Sequence, residues 1–69
     1  MPDKITLAYV NRQLGLGYTH VVVSERQDRV ADALSAHKNY DSAAKALRTA
    51  KQATAVWLLA DVRRHLAGG

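Results

Sequence analysis

Apolar residues in the first part of the chain follow the spacing of a helix face. Leu7, Val10 and Leu14 stand at positions i, i+3 and i+7, and Gly15 follows where a helix C-cap favours a positive φ. This spacing predicts a short helix near residues 7–14. The alternative is a β-hairpin within residues 4–23, because good strand formers stand on both sides of LGLG.

The next segment changes from strand-like to helix-like spacing. Three adjacent valines at residues 21–23 are poor helix formers, so residues 18–23 are expected to be extended in either case. Ser24 and Gln27 then match the capping-box pattern that starts a helix. The inner stripe of a helix over residues 25–37 is made of Val30, Ala33, Leu34 and His37.

The stretch NYDSAAKALRTAKQATAVWLL, residues 39–59, contains neither Gly nor Pro and starts two apolar stripes. Ala43, Leu47 and Ala50 form the first stripe, and the second consists of Leu58, Leu59, Val62 and Leu66. In one continuous helix, at about 100° per residue, the stripes would lie roughly 90° apart. This mismatch favours a break after Ala50, with helices near 41–52 and 54–67. One curved helix over residues 41–67 is the alternative.

Together these elements predict a mostly α fold, a helical bundle of three to four helices with an extended segment near residues 18–23. A single small domain covers residues 1–69. The alternative is an α+β fold in which an N-terminal β-hairpin precedes the helices. The expected core consists of Leu7, Val10, Leu14, Val22, Val30, Leu34, Ala43, Leu47, Leu58, Val62 and Leu66.

The length of 69 residues limits how stable such a core can be. A domain of this size buries only about 60% of its unfolded surface. The chain has no Cys for a disulfide or thiolate metal site, so a homodimer or another protein partner is the expected source of further stability. No apolar run approaches the roughly 20 residues of a membrane span. MPDK lacks the apolar stretch of a signal peptide, so a cytoplasmic protein without membrane contact is expected.

The net charge of +4 is distributed unevenly along the chain. Residues 1–37 carry four basic and four acidic side chains, whereas residues 38–69 carry six basic and two acidic ones. The whole excess of positive charge therefore belongs to the C-terminal half. Such asymmetry indicates a polyanionic partner, although a solvated basic face is the simpler interpretation.

The segments AAKAL at 43–47 and TAVWLLADVRRHL at 54–66 resemble the helix-turn-helix of bacterial DNA-binding regulators. In that family the second helix lies in the major groove, and its N-terminal residues contact base edges. The resemblance implies a small, dimeric transcription regulator that binds double-stranded DNA. The residues that it places at the DNA are Lys45, Arg48, Lys51, Gln52, Thr54, Arg63 and Arg64.

A second resemblance favours a different function. YDSAAKALRTA, residues 40–50, is similar to the second helix of a tetratricopeptide repeat, which implies an αα-hairpin over residues 25–52. The alternative function is a protein-interaction module, such as an adaptor, an antitoxin-like protein or a phage-type inhibitor. Val56 and Trp57 fall outside both apolar stripes and form its candidate partner interface, because Trp is enriched at interfaces. Trp57 covering the edge of the core is the other interpretation.

Patterns typical of catalysis or metal binding are not found in the sequence. His20, His37 and His65 are isolated, whereas metal ligands usually cluster at short spacing. There is no Gly-rich phosphate loop and no pair of carboxylates suited to a pocket. We therefore expect no enzyme activity, no cofactor and no metal site.

Overall fold

A computed structural model describes residues 3–27 and 29–68 of the protein. The elements in this part of the chain, in order, are β1 (Asp3–Lys4), α1 (Leu7–Gly15), β2 (His20–Arg26), β3 (Arg29–His37), α2 (Tyr40–Thr49), β4 (Ala55–Leu58) and α3 (Leu59–Ala67). The strands form one sheet in the order β1-β3-β2-β4, and all neighbours are antiparallel.

The fold is α+β, so the prediction of a mostly α domain is wrong, and the described residues form no helical bundle. α1 and α3 pack together on one face of the sheet, and α2 packs on the other face. The result is three layers, with the sheet in the middle. The alternative α+β class is confirmed, although its hairpin joins β2 to β3 and does not lie within residues 4–23.

α1 forms where the apolar spacing predicted a helix. The hydroxyl of Thr6 caps its N-terminus by accepting the backbone N–H of Tyr9 at 3.1 Å. Val10 lies on its inner face and is fully buried. Beyond its end, Gly17 has a φ of 92°, a conformation that Gly adopts without steric cost. The helix therefore has a capped start and a turn residue where the chain leaves it.

Residues 25–37 belong to a β-hairpin, so the helix predicted there is wrong. Ser24 does not cap a helix but lies within β2, which continues the extended run of valines. Gln27 follows β2 with a φ of 52°, in the left-handed region that hairpin turns use. The two residues of the apparent capping box thus belong to a strand and to the turn that ends it.

Two bulges explain why β3 resembled a helix. Its register with β2 shifts twice, leaving Ala31 and Leu34 without partners on β2. Each β-bulge adds one residue to the normal period of two. Val30 and Ala33 therefore belong to the same core cluster although they are three residues apart. Buried positions in this strand imitate the i, i+3 spacing of a helix.

The three valines of β2 are buried because the sheet is covered on both faces. Val21 and Val23 belong to the core cluster under α1 and α3, and Val22 points to the opposite face because side chains alternate along a strand. Ala43 of α2 is also fully buried, since α2 packs on that face of β2. A small residue at this position lets the helix approach the sheet closely.

The core differs in part from the predicted one. Among the predicted residues, Leu7 and Leu58 are 39% and 47% exposed, whereas the buried ones are Val10, Val22, Val30, Ala43 and Val62. The buried residues outside the predicted core are Ile5, Val21, Val23, Ala33 and Leu59, although the apolar stripes had included Ala33 and Leu59. Among these, the helical period was wrongly applied only to the strand that contains Ala33.

The stretch of residues 39–59 contains one helix, a turn and a strand. α2 ends at Thr49, which confirms the break after Ala50 and excludes one helix over 41–67. Residues 51–52 form a turn, and β4 then pairs with β2. The helix predicted from residue 54 begins only at Leu59, because residues 55–58 instead supply hydrogen-bond partners to the open edge of β2.

Replacing the N-cap of α2, Asn39→Ala, is expected to lower the free energy of unfolding by about 1 kcal/mol. The side-chain oxygen of Asn39 accepts the N–H of Ser42 at 2.8 Å, and alanine leaves that donor without this partner. Urea denaturation measures the change. Thr49→Ala is the control at the other end of the helix, because the Thr49 hydroxyl bonds only carbonyls of its own helix. Equal losses in both variants would contradict the capping role.

Candidate functional site

Three exposed basic side chains lie on the outer side of α2 and in the turn after it: Lys45, Arg48 and Lys51. These three residues are called the basic face below. Ala43 is buried and marks the side of α2 that faces the sheet. Lys45 and Arg48 lie about 200° and 140° around the helix axis from Ala43. Both side chains therefore point away from the sheet. Lys51 continues the same surface into the turn.

No carboxylate of the described residues forms an ion pair with the basic face, although Asp41 lines the same shallow depression as Lys45 and Arg48. Among the described residues, the ion pairs are Arg26–Asp32 at 3.8 Å and Arg64–Asp61 at 3.5 Å, and neither involves the basic face. Asp41 lies near the N-terminus of α2, where the helix dipole favours a negative charge. Three of the six basic side chains of residues 38–69 thus lie together on the α2 side of the molecule.

Gln52 and Thr54, which were also predicted to contact DNA, have different environments from each other. Gln52 is exposed next to Lys51. The Thr54 hydroxyl instead accepts the backbone N–H of Glu25 at 2.9 Å and lies 3.3 Å from the carbonyl oxygen of Val23. These hydrogen bonds hold the start of β4 against β2, so the Thr54 hydroxyl stabilises the sheet. Glu25 is 29 positions away in sequence, and local spacing gave no signal of this contact.

Arg63 and Arg64 are not part of the basic face. Both are exposed on α3, and the sheet separates α3 from α2. Arg64 pairs with Asp61 one helical turn away, and an exposed pair of this kind contributes little to stability. The seven residues predicted as one DNA site are therefore divided between two sides of the molecule.

The candidate partner residues Val56 and Trp57 lie on opposite faces of β4. Trp57 is partly buried against the core, and its ring meets that of His65 edge-on, with 5.4 Å between the ring centroids. Trp57 thus covers the edge of the core. Val56 points to the α2 side, and β4 itself is the outermost strand of the sheet.

His37 joins two hydroxyl groups, an arrangement that sequence analysis did not single out. Its Nε2 lies 2.7 Å from Oγ of Ser35 on β3, and its Nδ1 lies 2.8 Å from Oγ of Ser42 on α2. Within the described residues, no hydrogen bond joins the His37 ring to a carboxylate, so the orienting acid of a catalytic triad is missing there. The contacts hold the start of α2 against the sheet.

The described residues contain no group of three or more His, Cys, Asp or Glu side chains that could hold a metal ion. Within residues 3–27 and 29–68, no helix has the length and apolar character needed to cross a membrane. The resemblance to helix-turn-helix regulators stays a prediction, because comparison with known proteins gives it no support. No family model, no curated protein and no solved structure matches this chain.

Proposed function

We propose that the protein is a small DNA-binding transcription regulator that contacts the phosphates of duplex DNA through its basic face. The observation that carries this proposal is the position of Lys45, Arg48 and Lys51 on one exposed surface, where they have no ion-pair partner among the described residues. Neutralising phosphates with Lys and Arg releases counterions from DNA, and this release supplies most of the affinity. A DNA ligand agrees with the cytoplasmic location that we also propose.

The proposed contact does not use a helix-turn-helix. A strand, β4, follows the turn at residues 51–52, so no second helix is directly presented to a major groove. Phosphate contacts position a protein on DNA without carrying sequence information. Gln52, exposed beside Lys51, is the polar side chain suited to a base edge, since Gln can bond adenine at two atoms. Weak sequence preference is therefore expected.

Binding to a labelled DNA duplex is expected to weaken steeply with salt. Three phosphate contacts predict a slope of about −2.7 in log K against log salt, or roughly 40-fold between 50 and 200 mM salt. Fluorescence anisotropy at both concentrations measures the effect. A duplex with an uncharged methylphosphonate backbone is the control and should not bind. Absence of binding at the lower salt concentration, or binding that salt does not change, would contradict the proposal.

One of the features that favoured the alternative function, a protein-interaction module, is not present in the structure. The αα-hairpin expected over residues 25–52 is absent, because residues 29–37 form β3. Trp57 is engaged with the core and His65. The observation that still favours a protein contact is the outer edge of β4.

A further inference from the structure

β4 ends the sheet on one side, and within the described residues no strand pairs with its outer edge. All four residues, Ala55–Leu58, are apolar, and Leu58 is 47% exposed. Exposed edge strands are usually protected against pairing by charges, proline or bulges. β4 contains no charge and no proline, and its register with β2 is regular. It is therefore suited to pairing with another strand.

The backbone of β4 has identifiable outward groups. The N–H of Leu59 donates to the carbonyl of Thr19 on the β2 side at 2.8 Å. Hydrogen-bonded and non-bonded positions alternate in an antiparallel ladder, so Trp57 also bonds toward β2. Val56 then directs both its N–H and its carbonyl away from the sheet, and Leu58 directs its N–H the same way.

We propose that β4 pairs antiparallel with β4 of a second copy of this chain, with Val56 opposite its own counterpart. The N–H and carbonyl of one Val56 would exchange two hydrogen bonds with those of the other. A two-fold axis passes between them, as in the self-complementary interfaces of most dimers. The two sheets become one continuous sheet.

Charge complementarity favours a second copy as the occupant. In this register, residues equally far before and after Val56 approach each other across the axis. Lys51 precedes Val56 by five positions and Asp61 follows it by five, and both are exposed. The turn of each copy that carries Lys51 therefore lies beside the start of α3, which carries Asp61, in the other. Asp61 already lies 3.5 Å from Arg64 of its own copy, so Lys51 of the other copy would be a second cation near this carboxylate, which favours this partner and register.

An apolar surface beside β4 supports the same occupant. A shallow depression at the edge of the sheet beside β4 is lined in part by Tyr40, Val56 and Leu58. His20, together with Trp57 and Asp61 from the α3 side, completes its lining. Tyr40 is 61% exposed, which is large for an aromatic side chain in so small a domain. Pairing of two β4 strands brings both depressions toward the axis and removes apolar surface from water.

The pairing also has a consequence for DNA, and this step alone rests on the proposed function. The two-fold axis is perpendicular to the sheet, so both α2 helices lie on the same side. The two β2 strands are three strand spacings apart, about 14 Å at 4.7–4.9 Å per spacing. Two basic faces then lie within one turn of duplex DNA, which is roughly 34 Å long. With Lys51 beside Asp61 of the other copy, Lys45 and Arg48 of both copies would give one particle four phosphate contacts in place of three.

Leu58→Pro tests the pairing without disturbing the sheet. Leu58 has a φ of −69°, which proline adopts without strain, and its N–H points outward. The substitution thus removes a donor to the second copy and no bond to β2. Sedimentation equilibrium without DNA should show a monomer–dimer equilibrium for the unchanged protein. Association of Leu58→Pro should be roughly 30-fold weaker, since one hydrogen bond is lost from each copy.

Two controls separate the backbone from the side chain. Leu58→Ala keeps the N–H and should weaken association less than proline does. Circular dichroism and Tm must show that the proline variant is folded. Because the protein has no Cys, Val56→Cys can form a disulfide only between copies, at the Cα separation of about 5.5 Å expected for a hydrogen-bonded pair. Arg12→Cys on α1 is the matched position, and it should not crosslink.

The outcomes distinguish the pairing from the proposed function. A protein that stays monomeric at roughly 500 µM, far above the range where micromolar association would be visible, overturns the pairing. Equal association of Leu58→Pro and Leu58→Ala, or equal crosslinking of both Cys variants, also overturns it. Monomers that bind DNA would leave the proposed function standing without the pairing. Dimers that do not bind DNA would support the pairing and contradict the proposed function.

Discussion

Leu59→Ala is expected to lower the free energy of unfolding by about 2–5 kcal/mol. Leu59 is fully buried in the core cluster that α1 and α3 form with the sheet. The chain changes from β4 to α3 at this residue, and its N–H is bonded to Thr19, so the backbone there has little freedom to fill a cavity. A domain of this length has a total stability of roughly 3–10 kcal/mol. The variant should therefore lose a large fraction of the protein's stability.

Leu58→Ala is the matched control for this prediction. It removes the same atoms from the adjacent position, but Leu58 is 47% exposed, so the loss should be below about 1 kcal/mol. Urea denaturation with a shared m-value measures both variants. Similar losses at the two positions would show that the side chains are buried to a similar extent, contrary to the structure.

Changing Lys45, Arg48 and Lys51 together to Ala is expected to reduce affinity for duplex DNA at low salt by about 100-fold or more. Each phosphate contact that is lost should reduce the salt slope by about 1. The three side chains are exposed, so the free energy of unfolding should change by no more than about 0.5 kcal/mol per substitution. Anisotropy titrations at several salt concentrations measure both the affinity and the slope.

The matched control removes the same net charge from the other side of the molecule. Arg12, Arg63 and Arg64 are exposed on α1 and α3, across the sheet from the basic face. Their joint replacement by Ala should weaken binding less than about threefold, because charges beyond a Debye length of roughly 10 Å are screened at 0.1 M salt. An equal loss in both triple variants would assign the attraction to total charge and not to the α2 surface.

The helices α1 and α2 could be predicted from sequence because each signal is local. Leu7, Val10 and Leu14 have the spacing of one helix face, and Thr6 and Asn39 lie where caps are needed. The phase difference between the two apolar stripes correctly indicated a break after Ala50. It could not show that a strand follows, because a short apolar run fits a strand or a buried helix equally well.

The strand β3 could not be predicted because its bulges depend on the partner strand. Ala31 and Leu34 are extra residues only in relation to the register of β2. Without that register, the spacing of Val30 and Ala33 indicates a helix. A mistaken period at one strand then changed the predicted class of the whole domain.

The candidate site was predictable to the extent that it lies on a helix. Lys45 and Arg48 lie on the outer side of α2, a position that follows from the apolar stripe of Ala43, Leu47 and Ala50, since the apolar stripe of a helix fixes its polar side. The separation of Arg63 and Arg64 from them was not predictable, because it follows from the sheet order. The role of Thr54 depends on Glu25 and Val23, which only the folded sheet brings near.

The bulges of β3 also make the two borders of the sheet unequal. Within the described residues, β1 pairs with β3 at residues 32 and 33, and the neighbouring bulges increase the local twist of this border. The proposed pairing of β4 with β4 uses the same edge in both copies. Assembly through β4 would therefore end at two copies. As the protein concentration rises, the fraction of dimer should increase and fibres should not form.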